Sequence, residues 1–333
     1  MRILITAPYN EEGRKVLEAH FGEIIYKPWK INGRAYNEQE LIELLGETEA
    51  DALITEHDHV TAKVIEAFPD LQFIGVCRGT PSNVSLETAS QKGIPVLHTP
   101  ARNAQAVAEM FLANVITILR NTVAATEWLE DEKWDEGAHT SYLEFKGNEL
   151  AGKTIGIVGF GAIGQLIARL IENFPCKIRY YDPYYTSDNV HYIKTGIEDV
   201  FESCDIVSVH LPENKLTKGM INKTLFSKMK KDAIFVNTAR ASVVKREDLL
   251  EVLEHKKIRG AVLDVFDHEP PDETDYRLIH LDNVLATPHI AGATFEVEDH
   301  HAEIMNTNLL NLYVKQKNSE KFAAKQSVVT KAV

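Results

Sequence analysis

The sequence predicts an α/β protein built from two doubly wound, parallel-sheet domains. Three observations carry the prediction. Short apolar strands alternate with amphipathic helical stretches along most of the chain. A second such series opens at Lys153 with a glycine-punctuated strand-to-helix turn. The 333 residues suffice for two domains at roughly 150 residues each.

In the first series the strands are "ILITA" (3–7), "ALIT" (52–55), "FIGV" (73–76) and "PVLH" (95–98). "EEGRKVLEAHF" and "EQELIELLGET" lie between them and space their apolar residues as one helical face. From Asn103, "NAQAVAEMFLANVITILRN" is apolar on most of its faces, which suits a helix wedged between two domains or two subunits. The polar stretch after it, with Trp128, Trp134, Tyr142 and Phe145 interspersed, reads as an arm packed on a partner subunit. The second series has strands at 154–160, 177–182, 205–210, 233–237, 260–266 and 284–288. A last amphipathic helix, "FEVEDHHAEIMNTNLLNLYVKQK", precedes a polar tail ending "KQSVVTKAV" and is expected to return to the N-terminal domain.

The totals bound the function. A formal net charge of −13 disfavours nucleic acid as a partner. Three cysteines without paired spacing (Cys77, Cys176, Cys204) suggest a reducing compartment, and with no leader-like or spanning segment the expectation is a cytoplasmic protein off the membrane. Cys204 reads as a small packed hydrophobe.

"TIGIVGFGAIG" leads an apolar strand into G-x-G-x-x-G at Gly159, Gly161 and Gly164, with the helical "QLIARLIENF" after it. In that context the glycines permit a tight turn and close approach of a pyrophosphate to a helix N-terminus, where unpaired N–H groups favour anions. Asp182 closes the next strand, 18 residues after Gly164. A carboxylate there hydrogen-bonds ribose hydroxyls and repels a 2′-phosphate, so NAD is the expected cofactor.

Three charged positions follow successive strands: Arg240 in "FVNTARASVV", Glu269 in "AVLDVFDHEPP" and His289 in "VLATPHIAGAT". Ligands of open α/β sheets sit beyond the carboxyl ends of the strands, so the three side chains can converge. Each type has work in hydride transfer between a nicotinamide and a 2-oxo acid. Arginine offers a rigid fork for a carboxylate. Histidine exchanges a proton with the alkoxide, and a carboxylate beside it fixes the ring. Any one of them alone is more often structural; the set of three is harder to assign to chance.

Together "GFGAIG", "YYDPY", "VSVHLP", "FVNTARASVV", "GAVLDVFDHEPP" and "VLATPHIAGAT" resemble the D-isomer-specific 2-hydroxyacid dehydrogenases, in their phosphoglycerate-dehydrogenase-like branch. "GIPVLHTPARNAQAVAE" is similar to the family's segment before the nucleotide site. The resemblance implies two Rossmann-like domains. An NAD-binding domain of residues 104–293 is inserted into a flavodoxin-like substrate domain of residues 1–103 plus 294–333. It implies Arg240 as substrate binder, Glu269 as partner of His289, and His289 as acid/base. Asp264, Thr238, Ala239, Arg240 and His289 would border the nicotinamide, as would Ala291 and Gly292. Leu211 and Pro212 would lie at the adenosine portion, and Ala162 and Ile163 within the glycine motif. A homodimer through the arm around Trp128 is implied too. The opposing reading is a non-enzymatic, NAD-sensing protein of the corepressor type on the same fold; no long disordered recruitment tail is seen, which counts against it.

The sequence departs from the family where substrate is chosen. "CRGTPSNVS" is two residues shorter than the usual loop, and Pro81 removes one donor. Gly79 and Thr80 remain candidates to hold the substrate carboxylate through backbone N–H groups. Arg78 is a candidate for a phosphate or second carboxylate, with a surface ion pair as the equal alternative. "TEHDHV" (His57, Asp58, His59) and "EDHH" (His300, His301) lack zinc spacing and read as loop and helix-surface residues, with no metal expected. His57 and His59 could instead meet the substrate.

Overall fold

A computed structural model of the chain describes residues 1–134 and 137–329, with side chains to residue 314 except at 137 and 138. The chain forms two compact units, Met1–Asn103 with Thr294–Val333, and Ala104–Ala293. Both sheets are wholly parallel, as the strand–helix alternation requires.

The first unit has strands β1 (Ile3–Ile5), β2 (Ile24–Tyr26), β3 (Ala52–Thr55), β4 (Ile74–Val76) and β5 (Val96–His98), in the order β2-β1-β3-β4-β5. Side-chain alternation divides its core in two. Leu4, Leu53, Ile74 and Val76 meet Leu41, Leu45, Val64 and Ile65 on one face. Ile3, Ile5, Ala52 and Ile54 meet Leu17, Ala302, Met305 and Leu309 on the other. The last three come from the helix Glu296–Val329, so the C-terminal helix does return to this unit. A Cβ on Gly75 would lie 2.9 Å from the Met305 sulfur, which is why β4 carries a glycine beneath that helix. The helix runs past the predicted end at 317 because nothing from 296 to 329 is a glycine or proline. Residues 330–333 of the expected polar tail lie outside the described residues, as do 135 and 136 of the aromatic arm.

His301 corrects the helix-surface reading, because it is fully buried. Its Nε2–H donates to the Pro8 carbonyl at 2.6 Å, and its Nδ1 accepts from Arg102 at 3.2 Å. Arg102 also pairs with the buried Glu56 carboxylate at 2.8 Å. Protonating Nδ1 would set two cations against each other, and burial with Arg102 nearby pushes this imidazole down to about 4. Above the unfolded value near 6.5 both states are neutral. Below it the unfolded chain gains a proton the native chain refuses, so stability falls from about pH 6.5 toward about pH 4. The expected slope is on the order of 1 kcal/mol per pH unit. Urea midpoints between pH 7 and 5 should therefore fall less steeply in His301→Gln than in the native chain, and equal slopes would refute the assignment.

The second unit has strands β6 (Thr154–Val158), β7 (Lys177–Tyr181), β8 (Tyr192–Lys194), β9 (Ile206–Val209), β10 (Ile234–Asn237), β11 (Gly260–Leu263) and β12 (Val284–Ala286). Their order is β12-β11-β10-β9-β6-β7-β8, so the winding reverses between β6 and β9. The apolar helix Ala104–Leu119 buries Ala108, Phe111, Val115 and Leu119 in this unit's core, with Ile155, Ile157 and Ile167. Its broad apolar surface thus serves the second sheet. No single helix among the described residues is long and apolar enough to cross a membrane. Cys204 packs fully buried beneath Gly156, as a small hydrophobe would.

Candidate active site and cofactor cradle

At the reversal point the three glycines do three different things. Gly159 holds φ +94°, and a Cβ there would lie 2.6 Å from the His210 carbonyl oxygen. Gly164 faces the Gly159 carbonyl, 2.4 Å from where its Cβ would stand, so the helix Ala162–Ile171 sits hard against the turn. Gly161 has nothing within 4 Å of its Cβ position. Two glycines close the turn and the third leaves room for a ligand backbone. Gly161 is also the helix N-cap and supplies no side-chain cap, so the N–H groups beginning at Ala162 and Ile163 are left to an anion. These residues fit a dinucleotide pyrophosphate.

Asp182, one residue past β7, is tied into the same turn. Its Oδ2 accepts from Phe160 N at 2.8 Å, and its Oδ1 from Tyr184 N at 2.8 Å and Tyr185 N at 3.0 Å. Leu211 and Pro212 follow β9 across the reversal, with Leu211 3.2 Å from the Cβ position of Gly159.

Arg240, Glu269 and His289 follow β10, β11 and β12, three strands paired side by side. His289 Nδ1 stands 2.7 Å from Glu269 Oε2. Both side chains are about half exposed, open to a substrate. Glu269 Oε1 is also the acceptor for Phe266 N at 3.3 Å. Arg240 is exposed, its Nη1 donating to the Ala239 carbonyl at 2.6 Å. The turn that carries it is stapled by buried Asn237, which accepts from Ala239 N and donates to the Arg240 carbonyl, each at 3.0 Å. Thr238 is buried, and its hydroxyl has no protein partner among the described residues.

Sequence reasoning missed the groups that hold the Glu269 loop. Arg246 opens the helix Arg246–Glu254 and binds both oxygens of Asp272, at 3.0 and 2.9 Å, and Asp275 at 3.2 Å. Its Nε lies 3.3 Å from Asp267. Those acids flank Glu269 in sequence, so a single guanidinium draws the loop together. His268, Asp272 and Asp275 bring ligand atoms within 4.8 Å of one another, and both carboxylates of that cluster are already paired with Arg246. Arg246 and these acids lie far apart in sequence, so no local pattern announces their pairing.

Arg78, Gly79 and Thr80 lie in the first unit, on the loop after β4. The Arg78 carbonyl accepts from Thr99 N at 2.9 Å, and the Gly79 carbonyl faces His98 Nδ1 at 2.9 Å. His57, after β3, packs edge-on to Trp29, and His300 Nδ1 pairs with the Arg102 carbonyl at 3.0 Å.

A doubly wound sheet with a glycine cradle at its reversal and a His–Glu pair beyond its carboxyl edge defines a dinucleotide-dependent oxidoreductase. Residues 112–291 match the family model of the D-isomer-specific 2-hydroxyacid dehydrogenase NAD-binding domain. The chain is 60% identical over 309 residues to a Bacillus subtilis (strain 168) protein provisionally named the 2-hydroxyacid dehydrogenase YoaD, covering 93% of this chain and 90% of that one. It is 34% identical to D-3-phosphoglycerate dehydrogenase of Methanocaldococcus jannaschii, covering 90% of this chain and 55% of the relative. The fold superposes on a Lactobacillus jensenii D-lactate dehydrogenase solved with NAD+, with a TM-score of 0.74 and 25% identity over 94% of this chain and 96% of that one. The chain belongs to the D-isomer-specific 2-hydroxyacid dehydrogenases, phosphoglycerate-dehydrogenase-like branch, and is an NAD-dependent oxidoreductase of CH–OH groups.

Proposed function

We propose that the chain interconverts a small D-2-hydroxy acid and its 2-oxo acid, with His289 as acid/base, Glu269 as its partner and Arg240 as the substrate's anchor. The observation that carries this reading is the 2.7 Å His289–Glu269 contact, with Arg240, Glu269 and His289 each following one of three neighbouring strands. Bound nicotinamide supplies or accepts the hydride at the substrate's C2. In the reducing direction His289 gives its proton to the substrate oxygen, and in the oxidising direction takes it back. Glu269 fixes which ring nitrogen faces outward, because it engages Nδ1 and leaves Nε2 for substrate. Arg240 swings from the Ala239 carbonyl to bind the carboxylate and polarise the adjacent oxygen.

For the cofactor, the proposal gives the pyrophosphate to Gly159, Gly161, Ala162, Ile163 and Gly164. Asp182 takes the ribose hydroxyls, and Leu211 with Pro212 the adenosine portion. The nicotinamide is bordered by Thr238, Ala239, Asp264, Ala291 and Gly292. Arg78, Gly79 and Thr80 are the proposed contacts to the acid's anionic groups, and residues 1–103 with 294–333 the substrate domain. A cytoplasmic homodimer remains part of the reading, supported by three unbonded cysteines and by Leu129, Trp134, Tyr142 and Leu143 exposed on the arm.

The test is NADH oxidation by the purified chain across 2-oxo acids, plain and phosphorylated. Turnover of one of them at enzymatic rates is the expected result. Tight NADH binding without turnover of any acid would favour the NAD-sensing alternative instead.

A further inference from the structure

In the first unit, the loop after β3 and the loop after β4 hold one another. Val60 N donates to the Asn83 carbonyl at 3.0 Å, and Asn83 Nδ2 to the Asp58 carbonyl at 2.9 Å. Both loops leave the carboxyl ends of paired parallel strands, the side on which such a sheet meets its ligands. The β4 loop carries Arg78, Gly79 and Thr80; the β3 loop carries acids. Glu56 and Asp58 are both buried. Glu56 Oε1 accepts from Arg102 Nη1 at 2.8 Å and lies 3.6 Å from His57 Nε2, and its Oε2 accepts from Trp29 Nε1 at 3.1 Å. Trp29 stands edge-on to His57, with ring centres 5.2 Å apart. Asp58 accepts from the hydroxyls of Thr6 and Thr55 and from Tyr36 N, and all three of those donors are neutral.

The balance of charge decides what this edge accepts. Arg102 is spent on Glu56, and as a buried pair the two present no net charge outward. His57 adds no cation near neutral pH. Burial lowers its imidazole against the opposing pull of Glu56, and Arg78 lowers it further. We propose that the acid is unphosphorylated: beyond its own carboxylate it carries a neutral group, such as a hydroxyl, received against Trp29 and His57. The inference rests on the reading of the chain as acting on 2-oxo acids, and it narrows that reading. Arg78 then serves the acid's carboxylate and no second anion. A phosphate at this edge would bring about two negative charges toward the Asp58 carboxylate, across an interior that screens charge poorly. A hydroxyl meets no such repulsion.

The experiment compares hydroxypyruvate with its 3-phosphate, a pair that differs by one phosphoryl group. Each is measured as a substrate in NADH oxidation, and as a competitor of the acid found by the panel. Hydroxypyruvate should be favoured in kcat/KM or in inhibition constant by at least about tenfold, the scale of one hydrogen bond to a charged group. Glu56→Gln removes the charge that Arg102 answers, so the ratio should move toward the phosphate ester by about tenfold. His57→Lys adds a cation at an exposed position and leaves the buried pair intact. It should move the ratio the same way, and it decides the matter if the glutamine variant does not fold. A loss of stability lowers both rates alike and leaves the ratio unchanged. Equal or greater preference for the phosphate ester in the native chain overturns the proposal, as does a ratio that neither variant moves. The reading beneath it fails differently: no 2-oxo acid, plain or phosphorylated, would be turned over, and this inference would fall with it.

Discussion

Removing the imidazole at position 289 should lower kcat by about 10²- to 10⁴-fold, the range for loss of a general acid or base, while NADH binding is retained. The choice of replacement matters because His289 sits at φ +54°. Alanine there loses the proton donor and also relaxes toward a right-handed backbone. Asparagine tolerates the left-handed region better than most residues and cannot exchange the proton. His289→Ala and His289→Asn should therefore be equally inactive, with the asparagine variant closer to native in melting temperature. An active asparagine variant would mean that the ring serves the backbone and that the proton comes from elsewhere. Glu269→Gln keeps an oxygen for the ring but loses its charge, so kcat should fall to a level between the native enzyme and the His289 variants.

The second large effect separates folding from binding within one motif. Gly159→Ala puts a Cβ 2.6 Å from the His210 carbonyl oxygen at φ +94°. Both strain and collision are backbone against backbone, so the second unit should lose more than about 2 kcal/mol, with NADH binding lost alongside. Gly161→Ala meets nothing within 4 Å and sits at φ −75°, which alanine adopts freely. It should melt like the native chain, yet bind NADH at least about tenfold more weakly, because its Cβ projects where the pyrophosphate approaches. Thermal melting and NADH fluorescence on the same two samples read both effects. Native NADH affinity in Gly161→Ala would show that the phosphates do not pass there.

Much of the fold is legible because strand and helix periods are unambiguous in long segments. Helices Glu11–Phe21 and Glu38–Thr48 and strand Ala52–Thr55 fall where the apolar spacing puts them. The edge strands Ile24–Tyr26 and Tyr192–Lys194 escaped notice. At three residues each, they carry too little pattern to stand out from loop, and they form only because a neighbouring strand offers its free edge. The site divides the same way. Arg240, Glu269 and His289 are visible because a strand end announces each one. Asn237 and Arg246 are not, because their work is defined by backbone groups and acids brought near by the fold. A buried asparagine at the end of an apolar strand looks in sequence like an ordinary turn former.

The helix Glu296–Val329 sets an order of events during synthesis. Ile3, Ile5, Leu17 and Ile54 leave the ribosome early, but Ala302, Met305 and Leu309, which cover them, are made last. For the time taken to translate some 190 intervening residues, one face of the N-terminal sheet has no partner from its own chain. A nascent chain in that condition is a client for chaperones that bind exposed aliphatic surface. The yield of active enzyme is thereby tied to how long that face must wait.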